Sequence, residues 1–183
     1  ALDANTTASN NTAVGYEALT ANTTGDGHVS VGRFSLRSNT TGINNSAVGF
    51  NCLKENTTAS NNTAIGNEAL TANTTGAQLT AVGGNALDAN TTGNYSTAVG
   101  RNALGANTTA SNNVGIGLSA LASNTTASNN TAVGMQALST NTTGADNVAV
   151  GQIALENSTT AEGNVAIGRF SMNNTTTGSN NVA

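Results

Sequence analysis

Thr12-Ala13-Val14-Gly15-Tyr16-Glu17-Ala18-Leu19-Thr20-Ala21-Asn22-Thr23-Thr24-Gly25 decides the fold, because the chain repeats this stretch at a fixed interval. Gly15 is followed seventeen residues later by Gly32, and then by Gly49, Gly66, Gly83, Gly100, Gly117, Gly134, Gly151 and Gly168, with no insertion. A strict period of this length marks a solenoid or array, whose units stack because none can bury an apolar face alone. Residues 1–183 therefore read as a single repeat array of about eleven coils. Both ends fall inside a repeat, which predicts an uncapped segment of a longer array, or one subunit of an end-to-end stack.

Counting each repeat from its glycine as position 0, position 4 is Leu in every copy from Leu2 to Leu155, and then Met172. The residue before each glycine is Val or Ile throughout, and two residues before that stands Thr, Val or Ser. A β-branched pair at i and i+2 around a small residue predicts a short strand, with the β-branched side chains facing inward. The predicted core is thus Val14, Gly15 and Leu19, with their equivalents Val48, Gly49, Leu53, Val99, Gly100 and Leu104. The segment Tyr16–Ala21 is too short for its period to separate helix from strand, and stacking of identical short segments favours a second strand. The expected fold is an all-β parallel β-solenoid, or β-roll, with a 17-residue coil.

Asn-Thr-Thr fills positions 7 to 9. The threonine pair, such as Thr23-Thr24, is present in every copy, while Asn157 and Asn174 sit one place early. Position 10 alternates between Gly and Ala, which predicts tight packing rather than a left-handed backbone, a conformation Ala resists. The fourteen charged residues occupy the variable positions, read as the outward points of the coil, and His28 is read among them.

Composition closes several functional classes. Leu, Ile, Val and Phe make 32 of 183 residues, a level typical of disorder when net charge is high; here the net charge is only −4, and regular spacing favours order. Five Lys and Arg form no basic patch, so a nucleic-acid partner is not expected, and no apolar run is long enough to span a membrane. One cysteine permits no internal disulfide; Cys52 stands in the Ala/Ser column and reads as a buried small residue. With one His, one Cys and carboxylates scattered without a recurring pair, the chain is read as a non-enzyme, without cofactor or metal. Tyr16, Phe34, Phe50, Tyr95 and Phe170 lie in different columns and read as thinly spread surface decoration or packing between chains.

The Asn-Thr-Ala-Val-Gly block (Asn11 to Gly15, Asn62 to Gly66, Asn130 to Gly134) resembles the Asn-Ser-Val-Ala-Ile-Gly repeat of YadA-type trimeric adhesin heads. The whole unit is similar to repeats of phage and bacterial tail-fibre and surface-fibre proteins. The resemblance implies a left-handed β-roll with three chains side by side, placed on a cell or virion surface. The adhesin repeat is shorter, near 14 residues. The function expected is an extracellular structural fibre or spacer that self-associates in parallel or head to tail, with an adhesin or receptor-binding fibre as the alternative.

Asn-Thr-Thr is also a glycosylation sequon. Asn5, Asn22, Asn39, Asn56, Asn73, Asn90, Asn107, Asn124, Asn141, Asn157 and Asn174 are candidate N-glycan acceptors, and Thr23 and Thr24 candidate O-glycan acceptors. Further sequons start at Asn10, Asn44, Asn61, Asn94 and Asn129. The competing structural reading is a ladder of stacked Asn and Thr at a turn. A third reading takes the threonine columns as an ice-binding face. The partners expected are therefore further copies of the chain, covalent glycans, or a cell-surface glycan ligand.

Overall fold

The computed structural model describes residues 1–183. It is a parallel β-solenoid without helices, built on ten three-residue strands from β1 (Thr12–Val14) to β10 (Val165–Ile167). The strands form one sheet in strictly sequential order. Each pairs in parallel with its equivalent in the next repeat, Thr12 opposite Val29 and Val14 opposite Val31. Ten strands give nine coil-to-coil steps rather than the eleven coils expected from the leucine column, because the copies at either end lack part of the coil.

Only 18 of the 114 backbone hydrogen bonds lie within the sheet, so the corners are laddered as well. Leu19 N–H donates to Ser35 O at 3.0 Å, Ala21 N–H to Arg37 O at 3.1 Å and Thr23 N–H to Thr40 O at 3.0 Å. The chain thereby satisfies its backbone groups almost all the way round each coil, which a stack of identical units does without helices.

The segment after each glycine is not a second strand. Ala18 N–H returns to Gly15 O at 3.3 Å and Asn22 N–H to Leu19 O at 3.5 Å, closing two successive turns. Positions 2 and 4 both have left-handed backbone, with Glu17 at φ 51° and Leu19 at φ 52°. A leucine in this region costs about 1–2 kcal/mol. Burying it returns roughly 1.5–3 kcal/mol, and Leu19 through Leu155 are fully buried in column 4. Gly15 and its equivalents take φ between 121° and 142°. A Cβ on Gly66 would lie 2.6 Å from the carbonyl oxygen of Gly83 in the next coil, so both backbone and space demand glycine.

The strand turns the opposite face inward from the one expected. Its middle residue, such as Ala47, Ala64 or Ala98, is buried, while Val14 is 58% and Val48 38% exposed and Val99 is half-buried. The interior explains this inversion. At Gly115, the one glycine in the inward strand column, a Cβ would lie 3.2 Å from both Leu104 Cγ and Ala120 O. The leucines already fill the apolar half of the coil and leave room for a methyl group at most. Val14, Val48 and Val99 are therefore surface residues, whereas Leu19, Leu53 and Leu104 form the core.

Candidate functional site

The Asn-Thr-Thr ridge is the feature held most constant along the chain, and its atoms can be followed one coil at a time. Asn22, Asn39, Asn56, Asn73, Asn90, Asn107, Asn124 and Asn141 are all fully buried. From Asn39 to Asn141, each Nδ2 donates to Oδ1 of the asparagine one coil earlier, at 2.8–3.1 Å. The first link, Asn22 to Asn5, is longer at 3.5 Å. The second hydrogen of each amide goes to the carbonyl three residues on, as from Asn73 to Gly76 O at 2.9 Å. Both hydrogens of the amide nitrogen are thus consumed, and that nitrogen is the atom an N-glycan would need.

The eight buried asparagines are therefore not glycan acceptors in the folded rod, contrary to the sequon reading. Asn5, at the first coil, is half-buried and donates to Ala8 O at 3.2 Å. Asn157 and Asn174, displaced by one residue, are exposed. In the Asn157 coil the buried slot is filled by Ser158, whose Oγ has no partner, so the asparagine ladder stops at Asn141.

The two threonine columns differ in what they leave free. Hydroxyls of the first, from Thr23 to Thr142, donate to the threonine carbonyl of the next coil at 3.0–3.2 Å. From Thr23 to Thr159 the first column is half-buried, whereas the second, represented by Thr24, is exposed. A water-ordering face would have this single row of hydroxyls to work with.

A second polar ladder runs at position 13, four residues before each glycine, interrupted at the buried Leu79, where the sequence showed only connectors rich in Asn. Asn62 N–H donates to Asn45 Oδ1 at 3.0 Å, and Asn45 Nδ2 donates to Ala59 O at 2.8 Å. The two ladders converge on position 10: Gly76 O accepts from both Asn73 and Asn62 at 2.9 Å. A Cβ on Gly76 would lie 2.3 Å from Gly93 O, and where alanine stands at this position, as at Ala59 and Ala110, its methyl is buried. None of the position-10 glycines has positive φ, as the Gly/Ala alternation predicts. The recurrence of Asn11, Asn45, Asn62, Asn113, Asn130, Asn147, Asn164 and Asn181 at one position was the available signal for this ladder.

His28 occupies the same column and is fully buried, not outward-facing as expected. Its Nδ1 accepts the Asn45 N–H at 3.1 Å, in the place of an asparagine Oδ1. Both hydrogens of the neighbouring Asn39 amide are committed, to Asn22 Oδ1 and Gly42 O. The imidazole proton therefore sits on Nε2 and points at Gly42 O, reproducing the asparagine Nδ2. Burial pulls the His28 pKa below its usual value, against weaker opposing contributions from those backbone contacts and Asp26.

Cys52 is buried, its Sγ donating to Gly66 O at 2.7 Å; burial pushes its thiol up to about 11, which keeps it protonated and unreactive at neutral pH. No group of three His, Cys, Asp or Glu side chains comes together to hold a metal ion.

The outer surface carries two further features. Along the sheet, the Val/Ile column stands outward in every coil beside the Thr/Val/Ser column, and no charged residue occurs in any strand. At the first coils, Tyr16, Phe34 and Phe50 are brought together, with ring centroids 5.6 and 6.4 Å apart. Three of the five aromatics are therefore clustered, where the sequence read all five as thinly spread. Positions 1 and 2 of adjacent coils are neighbours in space, which a column-by-column reading hides.

These coils and ladders define a parallel β-solenoid with a polar spine on one side of its interior and leucines on the other. Compared with protein-family models, curated proteins and solved structures, the chain finds no match.

Proposed function

We propose that this chain is a structural fibre segment outside the cell, on a cell or virion surface, that extends by stacking coils and associates side by side with further copies. The observation that carries the reading is the outward row of Val and Ile. Ten branched apolar side chains in register, without a charge among the strands, form a continuous strip along the rod, and a patch of this kind often marks an interaction surface. Leu118 and Met135, both exposed, extend the strip beyond the strands. The similarity of the repeat to those of surface and tail fibres supports the same reading. Glycans, where they occur, attach at the exposed Asn157 and Asn174, or at the exposed corner sequons Asn10, Asn44, Asn61 and Asn129.

The test is the mass in solution of the chain and of a Val82→Lys, Val99→Lys, Ile116→Lys triple variant, by light scattering. The expected result is a multiple of 18.0 kDa for the parent chain and a folded monomer for the variant. A parent chain that stays monomeric at high concentration contradicts lateral association.

A further inference from the structure

The chain is almost free of aromatic residues, with two Tyr and three Phe, yet three of these rings cluster, edge-to-face and tilted, on one face of the first coils. They are held there in water, Tyr16 64% and Phe50 39% exposed, although burial is the ordinary fate of such rings. Among them lies the Arg33 guanidinium, its central carbon 4.4 Å from the Phe34 centroid and 5.8 Å from those of Tyr16 and Phe50. The other cations nearby are committed. Arg37 Nε bonds Glu17 Oε2 at 2.7 Å, and Lys54 Nζ lies 3.0 Å from Glu55 Oε1. Arg33 is the cation of this patch without an ion pair. Beside the rings lies an open groove of about 580 Å³ lined by Asp3, Glu17, Thr20, Ala21, Arg37 and Ser38. Its volume falls in the range of small-molecule sites.

We infer that the Tyr16–Phe34–Phe50 face with Arg33 is a binding site for an acidic saccharide, a sugar carrying one carboxylate. The chemistry selects this class. The C–H face of a pyranose ring packs against an exposed aromatic ring, and Tyr16 and Phe50 present such rings at either side of Arg33. A single unpaired guanidinium matches a single carboxylate, which it holds through two parallel N–H donors. The groove then offers acceptors and a hydroxyl, Asp3, Glu17 and Ser38, for the sugar's own hydroxyls. Two carboxylates in the groove disfavour a polyphosphate and keep a sugar's single carboxylate on Arg33, outside the groove; Ala21 is the one apolar residue of the lining, which disfavours an apolar peptide. This site goes beyond the fibre reading and does not depend on it.

The experiment titrates the chain with glucuronate-terminated, N-acetylneuraminate-terminated and neutral glucose-terminated oligosaccharides, read by saturation-transfer NMR and calorimetry. At least one acidic sugar is expected to bind on the order of tenfold more tightly than the neutral one, the gain of one charge-assisted contact. Arg33→Ala is expected to remove that preference, while Tyr16→Ala and Phe50→Ala weaken acidic and neutral sugars alike. Arg169→Ala serves as the control: it changes a similar arginine, over the single ring of Phe170 at 4.3 Å, and is expected to leave binding unchanged. Circular dichroism confirms that each exposed substitution leaves the rod folded. Repeating the titration on the strand-face triple variant separates this site from lateral association. Absence of binding by every acidic sugar, or equal binding by Arg33→Ala, overturns the proposal. So does a change in oligomeric mass on Tyr16→Ala or Arg33→Ala without sugar binding, which would make the patch part of a protein interface.

Discussion

His28 fits its column because a neutral imidazole presents one acceptor and one donor in the positions of an asparagine amide. A second proton, on Nδ1, would set two donors against each other at the Asn45 N–H. The groups around the ring are the amides of Asn11, Asn39 and Asn45 and the Gly42 carbonyl, with Asp26 the one charge that favours protonation. Since folding lowers the His28 pKa below 6.5, the unfolded chain takes up the proton first as pH falls. The contribution to stability is complete above about pH 6.5 and is lost as pH drops through the lowered folded value. Melting followed at about pH 7.5 and about pH 5 is expected to show a larger acid loss for the parent chain than for His28→Asn. Equal losses in the two would remove His28 as the cause.

At the scale of the coil, the asparagine ladder is the element that fixes register, and its one gap gives a test. Ser158 has the same backbone contact as the ladder asparagines, its N–H reaching Leu155 O at 3.1 Å, but its hydroxyl finds no partner. Ser158→Asn places an amide between Asn141 Oδ1 and Ala161 O, and is expected to stabilise the rod by about 1 kcal/mol in denaturant unfolding. A destabilised variant would show that the last coils do not share the geometry of the others.

The same coil explains what could be read in the residues beforehand. The period, the leucine column and the obligatory glycine were legible, since each depends on one residue type at a fixed spacing. The inward face of the strand was not. In Thr12-Ala13-Val14 the flanking residues carry the bulkier, β-branched side chains, and only the space left by the leucines decides that Ala13 turns in. The two turns between Gly15 and Asn22 were hidden because Glu17 and Leu19 are not residues that announce positive φ. The ridge was legible as a ladder, but burial, which ends its case as a sequence of glycan acceptors, is a property of the stack.

At the scale of the whole molecule, the strand face measures roughly 50 Å by 10 Å, about 500 Å². Stable interfaces bury about 800 Å² on each partner, so side chains beside the strands in the middle coils, Leu118 and Met135, have to join the contact. Each further coil adds about 50 Å² to the strip. Lateral association is therefore expected to strengthen steeply with the number of coils: an array shortened by half dissociates at concentrations where a doubled array remains assembled, as sedimentation would show. Association independent of length would place the contact at the ends of the rod instead of along its sheet.

The central claim is that the coils from Asn22 to Asn141 keep their position-7 asparagine amides inside and their valines outside, and side-chain amide hydrogen exchange measures the first half atom by atom. The amides of Asn39 through Asn141 at position 7 are expected to exchange only through opening of the stack, slowed by several orders of magnitude relative to those of the exposed Asn61 and Asn129. Ladder amides that exchange as fast as these corner residues would contradict it.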